Sequence, residues 1–281
     1  MINKNNVLQR IDSKPIVWDA FYNKTDKPKP LVIFCHGYKG FKDWGSWDLM
    51  ANAFKNANLF FVKFNFSHNG GTVENPIDFP DLEAFGNNNY SKELKDLDDM
   101  IDFLLSNSNT LKREINPNSV TVIGHSRGGG ITSIKASEDS RITKLITLAS
   151  VSSFGKRTST TGNLEQWKKD GVKYVLNGRT KQQMPHFYQF YEDFITNETR
   201  LNIEKAANKI TIPHLIIHGL EDTSIDVEEA KKLHSYNKNS ELFLVEKANH
   251  VFNSKHPWTE NTLPHELDIV IKKSIDFILT L

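Results

Sequence analysis

The chain has 281 residues, with 35 Lys+Arg against 34 Asp+Glu for a net charge of +1, and a single cysteine. That length suits one large α/β domain, or one with an insertion, and buries roughly three quarters of its extended surface, so the core needs no disulfide or metal. The even charge balance offers no electrostatic footprint for nucleic acid or an anionic membrane, and the lone Cys35 excludes a disulfide framework.

The opening MINKNNVLQR has no apolar leader core, and no run approaches the roughly 18 apolar residues of a membrane span. The expectation is a soluble, cytoplasmic protein of a reducing compartment. Residues 14–22 alternate loosely and predict an early antiparallel edge strand, closed by the turn signals Lys27-Pro28-Lys29-Pro30. Residues 31–35 are continuously apolar, as a strand buried on both faces would be, and Cys35 reads as inert core within it. Trp47, Met50, Ala51 and Phe54 predict a helix over 46–58, and residues 59–66 the next strand, ending in Ser67-His68-Asn69-Gly70-Gly71. The polar, Asn/Pro/Gly-rich residues 72–89 predict a long surface loop. Ser91 is the expected N-cap of a helix whose apolar face is Leu94, Leu97, Ile101, Leu104 and Leu105. A β-branched run from Val120 to Ile123 and a buried strand over 144–149 follow. This β-α-β-α alternation predicts a mostly parallel sheet with helices on both faces.

The rhythm breaks between Ser152 and Asn208, which predicts an insertion capping the sheet: residues 1–151 and 209–281 as core, 152–208 as cap. Residues 152–163 read as loop, followed by Trp167, Tyr174 and a turn at Asn177-Gly178. Residues 184–195 are expected to be helical, because Phe187, Phe190, Tyr191 and Phe194 fall at i, i+3, i+4 and i+7. That aromatic face has two compatible readings: it packs the cap onto the core, or rings such as Phe187, Tyr188 and Tyr191 line a substrate pocket. The sheet rhythm resumes at 214–218, between Pro213 and Gly219. A helix over 227–234, a strand over 241–245 and a closing helix carrying Leu267, Val270, Ile271, Ile275 and Ile278 complete the chain.

The chemistry centres on Gly124-His125-Ser126-Arg127-Gly128, a G-x-S-x-G placed between a strand and a helix. Such a turn is a nucleophile elbow: it holds the serine in a strained conformation that lifts the hydroxyl clear of the sheet, and the flanking glycines keep so tight a turn free of collisions. A serine hydroxyl is a poor nucleophile at neutral pH, so it needs a base, and the base needs an orienting acid. Loops leaving later parallel strands converge on the same edge of the sheet. Asp222 lies just beyond the strand ending at His218, and His250 just beyond the one ending at Val245. Glu221 and Asp226 are the competing acids, and His256 and His265 the competing bases. His36 and His125 read as structural hydrogen-bonding residues beside the site. His68-Asn69 should reach the same edge, either to contact substrate or to stabilise its loop. No H-E-x-x-H, paired C-x-x-C or G-x-x-x-x-G-K is present, so no metal or cofactor is expected.

With His36-Gly37-Tyr38, Gly124-x-Ser126-x-Gly128, Gly219-x-x-Asp222 and Asn249-His250-x-Phe252 in this order, the sequence resembles the α/β-hydrolase family from about residue 14 to 281. Within it, the chain is similar to the small esterases related to dienelactone hydrolases and cinnamoyl (feruloyl) esterases, which carry a comparable cap after the sixth strand. The resemblance implies a Ser126–His250–Asp222 triad and an oxyanion hole made by the backbone N–H groups of Arg127 and Tyr38. Tyr38-Lys39 stands where other esterases carry a glycine run, implying a narrower hole. The implied activity is hydrolysis of a small-molecule carboxylic ester. An aminopeptidase, an acylpeptide hydrolase, a thioesterase, a perhydrolase and a weakly catalytic small-ligand receptor would use the same parts.

Overall fold

A computed structural model of the chain describes residues 1–159 and 162–280. In chain order its elements are β1 (Ile2–Leu8), β2 (Ile16–Phe21), β3 (Lys29–Cys35), α1 (Trp47–Asn56), β4 (Phe60–Phe64), α2 (Leu82–Gly86) and α3 (Tyr90–Leu105). Next come β5 (Ile115–His125), α4 (Arg127–Glu138), β6 (Lys144–Leu148), α5 (Gly155–Ser159), α6 (Leu164–Asp170), β7 (Val172–Leu176), β8 (Gln183–Phe187) and α7 (Gln189–Thr196). α8 (Ile203–Lys209), β9 (His214–Gly219), α9 (Val227–Tyr236), β10 (Ser240–Val245) and α10 (His265–Leu279) finish the fold.

Among the described residues, eight strands form one sheet in the order β1-β2-β4-β3-β5-β6-β9-β10. β2 runs antiparallel to both its neighbours, β1 and β4, and every pairing from β4 to β10 is parallel. Alternation along the central strands divides the core. Leu31, Ile33, Phe60 and Val62 point to the face covered by α3, α4 and α9; Val32, Phe34 and Phe61 point to the face covered by α1 and α10. Each fully buried side chain of this kind stabilises the fold by about 1.5–3 kcal/mol. The parallel strands all finish at one edge, and the loops leaving β3, β5, β6, β9 and β10 meet there.

Several local expectations need correction. The strand over 14–22 is not the edge: β1, a polar strand with little apolar signal, pairs outside it. The stretch 72–89 contains α2, and Phe79 and Phe85 within it are buried. Asn89, not Ser91, caps α3, its side chain accepting from the Lys92 N–H. Residues 155–159, expected as loop, form the short α5, while residues 160 and 161 of the same expected loop lie outside the described residues. Residues 184–187 are not helical; they pair with β7 in an antiparallel hairpin that tolerates Pro185 because neither strand has a second neighbour among the described residues. α8 packs against α4 and α9, beside the sheet.

A buried ionic cluster ties the front of the sheet to the loop after β3. Asp19 on β2 pairs across the strands with Lys63 on β4, Nζ to carboxylate 2.7 Å, and Lys42 Nζ reaches the same carboxylate at 2.9 Å. Asp19, Lys42 and Lys63 are fully buried.

Candidate active site

Ser126 sits between β5 and α4 with φ 56° and ψ −119°, a left-handed conformation that a non-glycine residue adopts only at about 1–3 kcal/mol of strain. Neighbouring contacts hold it there: its N–H donates to Leu148 O at 2.9 Å, and its carbonyl accepts from the Gly129 N–H at 3.0 Å. The flanking glycines are required by close approach. A Cβ on Gly124 would lie 2.3 Å from Gly128 O, and one on Gly128 would lie 2.5 Å from Cys35 O. The loop after β3 comes equally near, since a Cβ on Gly37 would be 2.9 Å from the Ser126 Cβ.

Ser126 Oγ donates to His250 Nε2 at 3.1 Å, and His250 Nδ1–H donates to Asp222 Oδ2 at 2.8 Å. The carboxylate can only accept, so the imidazole proton is placed on Nδ1 and the Nε2 lone pair faces the hydroxyl. Local turn chemistry holds each partner. Asp222 Oδ1 accepts from the backbone N–H groups of Ser224 (2.8 Å) and Ile225 (2.9 Å). His218, fully buried at the end of β9, donates its Nε2–H to Ile225 O at 2.8 Å, with Asp222 Oδ2 3.3 Å away. Burial alone would push the Asp222 carboxyl up, but the hydrogen bonds from His218 and His250 outweigh it and hold that carboxyl well below the usual carboxylate range. On the other loop, Asn249 Oδ1 accepts from the N–H groups of Val251 (3.0 Å) and Asn253 (2.9 Å), and Phe252 is fully buried. Asn249 thereby folds the turn that presents His250, and Phe252 anchors it.

The competing residues lie elsewhere. Asp226 caps α9, accepting from the Glu228 N–H, and Glu221 is exposed. His256 accepts from the Gly45 N–H at 2.9 Å, and His265 begins α10. His36 and His125 act as buttresses. His36 Nδ1–H donates to Gly37 O at 2.9 Å and its Nε2 accepts from the Phe66 N–H; burial, with Arg127 nearby, lowers its pKa to about 4. His125 Nε2–H donates to the His250 carbonyl at 2.9 Å; burial, then the neighbouring His250, lowers its pKa to about 3. Both rings are therefore neutral at pH 7.

Ser126 and His250 open into a cavity of about 400 Å³, whose lining also includes Tyr38, Arg127, Tyr90, Phe154, His186 and Phe190. Tyr38 Oη lies 2.8 Å from His186 Nε2, and burial pushes the phenol up to about 12. The Arg127 guanidinium stacks over the rings of Tyr38 (4.5 Å), Tyr90 (5.3 Å) and Phe190 (5.4 Å). The other expected substrate residues are placed away from this cavity. His68 shares a hydrogen bond with Ser67 Oγ, and Asn69 donates to Gly40 O, lining a separate cleft with Lys14 and Asn65. Phe187 packs on Gly86, while Tyr188 and Tyr191 cluster with Trp167. Sequence reasoning missed Phe190 as a lining residue, together with Tyr90 and His186. The i+3 spacing contained Phe190, but continuing the helix back through residue 187 assigned the wrong rings to the pocket.

As a metal site, the three acids Asp19, Asp43 and Asp48 lie close enough to share an ion. The ammonium groups of Lys42 and Lys63 already bond these carboxylates, so the cluster is internally compensated.

No protein-family model matches the chain, and no curated protein does. Solved structures do. Est1E from Butyrivibrio proteoclasticus, solved with ferulic acid bound, superposes with a TM-score of 0.72 at 18% identity over 95% of this chain and 96% of its own. Mouse α/β hydrolase domain-containing protein 10 gives 0.66 at 15% identity, with 97% of each chain covered. Dienelactone hydrolase from Anabaena variabilis gives 0.64 at 12% identity over 99% of this chain and 97% of its own. This chain has the α/β-hydrolase fold. No helix among the described residues is long and apolar enough to cross a membrane.

Proposed function

We propose that the protein is a serine hydrolase that cleaves carboxylic esters of small to medium acyl groups. The observation that carries this reading is the continuous relay from Ser126 Oγ through His250 to Asp222, at 3.1 and 2.8 Å, opening into a cavity. Ser126 Oγ attacks the ester carbonyl as His250 Nε2 takes its proton, and Asp222 stabilises the resulting imidazolium. The backbone N–H groups of Tyr38 and Arg127 receive the charge that develops on the carbonyl oxygen; the close approach of Gly37 to Ser126 supports that role for the first of them. His250 passes its proton to the departing alkoxide, leaving an acyl-enzyme on Ser126. A water that gives its proton to His250 then attacks the acyl carbon and releases the acid.

The segment between β6 and β9 serves as the lid in this reading, because Phe154, His186 and Phe190 supply much of the wall opposite Ser126. Their aromatic character suits an aryl or short alkyl acyl group. 4-Nitrophenyl butyrate tests the proposal. The wild type should turn it over and Ser126→Ala should lose that turnover; full activity in the variant would end the serine mechanism.

A further inference from the structure

The two residues whose N–H groups would form the oxyanion hole are joined through their side chains. The Arg127 guanidinium lies 4.5 Å over the Tyr38 ring, and the Tyr38 hydroxyl reaches across 148 positions of sequence to His186 Nε2 at 2.8 Å. Neither backbone N–H donates to a group among the described residues. Further along the same loop the backbone is tied down from the core side: the Gly40 N–H donates to Gly37 O at 3.0 Å, the Lys42 N–H to Asn65 Oδ1 at 2.6 Å, and Gly40 O accepts from Asn69 Nδ2 at 3.2 Å. Tyr38, at the tip, is held by its side chain instead. His186 is itself well anchored. Its carbonyl accepts from the Trp167 Nε1–H at 2.8 Å, and the hairpin carrying it is seated on residues 78–86: Arg179 pairs with Asp78, Gln182 Nε2 donates to Phe79 O at 3.0 Å, and Phe187 packs on Gly86. Burial pushes the Tyr38 phenol up to about 12, and burial, then Arg127, lowers the His186 pKa to about 4, so neither partner gains or loses a proton near neutral pH.

A backbone donor stabilises an oxyanion only when its N–H is aimed at the place where charge develops, and an error of about 1 Å costs about 10²-fold in rate. We propose that His186 is a positioning residue for the oxyanion hole: through the Tyr38 hydroxyl, the β7–β8 hairpin holds the loop after β3 so that the Tyr38 N–H faces the carbonyl oxygen of an ester on Ser126. The hairpin thus completes the geometry of the reaction besides walling the cavity. This inference rests on the hydrolase reading above.

Tyr38→Phe removes the hydroxyl and keeps the ring under Arg127, His186→Ala removes the partner, and His186→Gln keeps a hydrogen-bonding group near the Nε2 position. Two readouts are taken: kcat/KM on 4-nitrophenyl butyrate, and inhibition by butyl trifluoromethyl ketone, whose carbonyl carbon bonds to Ser126 Oγ and places its own oxygen in the hole. Tyr38→Phe and His186→Ala should each lower kcat/KM by at least about fivefold and weaken the ketone by a similar factor. The double variant should be no worse than either single one, because both remove the same bond, and His186→Gln should recover most of the loss. Binding of 4-nitrophenyl butyrate to Ser126→Ala should stay within about threefold when either change is added, since the effect belongs to the transition state and not to the bound ester. A smaller loss in Tyr38→Phe, losses that multiply in the double variant, or ester binding that falls as far as that of the ketone overturns the inference. A wild type that turns over no ester removes the hydrolase reading alone, and the ketone series still decides whether His186 shapes the hole; a wild type that binds no ketone either overturns both.

Discussion

Gly219→Ala tests how closely the acid and base loops are pressed together. Gly219 ends β9, and a Cβ there would sit 2.2 Å from Ala248 O and 2.7 Å from Ala248 C. A carbon normally approaches a carbonyl oxygen no closer than about 3.3 Å, so the two loops would have to part by about 1 Å. The same junction holds the hydrogen bonds from Leu220 N–H to Val245 O and from Glu221 N–H to Ala248 O, both 2.9 Å. Asp222 lies three residues beyond the first contact and His250 two beyond the second. Opened by that amount, the 2.8 Å bond between Asp222 and His250 passes out of hydrogen-bonding range. Misplacement on this scale costs about 10²-fold in rate, and overpacking costs about 1–3 kcal/mol of stability. The assay is kcat/KM on 4-nitrophenyl butyrate beside a thermal melt, with Gly178→Ala as control because nothing lies within 4 Å of a Cβ there. Activity in Gly219→Ala within about threefold of wild type would refute the reasoning, since a 1 Å opening is expected to cost far more.

Asp19→Ala should cost about 3–5 kcal/mol in urea unfolding, because the buried Lys42 and Lys63 would lose the fully buried carboxylate between them and keep only the partly exposed Asp43 and, for Lys63, Asp48; a loss below about 1 kcal/mol, the scale of an exposed pair, would contradict it. Acid should weaken the fold well before carboxylates titrate. Burial foremost lowers the pKa of His36 to about 4 and of His125 and His214 to about 3, against about 6.5 in the unfolded chain. Below pH 6.5 the unfolded chain therefore takes up protons that the native protein refuses, so stability is complete above that pH and falls as pH drops towards 4, by about 1.4 kcal/mol per unit for each ring. Glu93 and Asp96, whose carboxyls burial pushes up, bind protons in the native state and offset part of that loss. A urea midpoint that stays flat from pH 7.5 to 5 would count against the buried-histidine account.

What could be read from the chain alone follows the range of the forces involved. Residues 31–35 and the centre of the later strand, residues 215–217, are continuously apolar because both faces of the sheet are covered, so their composition declares their place. Ser126, Asp222 and His250 were equally legible, since each owes its position to chemistry within a few residues: the glycine-flanked turn, the Asp222 turn onto Ser224 and Ile225, and the Asn249 turn onto Val251 and Asn253. β1 gave no such signal, because one face of an edge strand is solvated and its residues are mostly Asn and Lys.

The cavity wall was opaque for a different reason. Arg157, Lys173, His186 and Phe190 come from four separate elements or turns of the insertion, and nothing local fixes which of their neighbours faces inwards. The hairpin of β7 and β8 decides it. Pairing of Lys173 with His186 and of Tyr174 with Pro185 sets alternate residues on opposite faces, so Lys173, Val175 and His186 reach the cavity while Tyr174 and Leu176 are exposed. A slip of one residue in that register would carry Lys173 out and Tyr174 in, exchanging a cation for a phenol at the wall. The composition of the cavity wall therefore depends on strand register in the insertion, whereas the placement of Ser126, Asp222 and His250 depends on the turns at the ends of β5, β9 and β10.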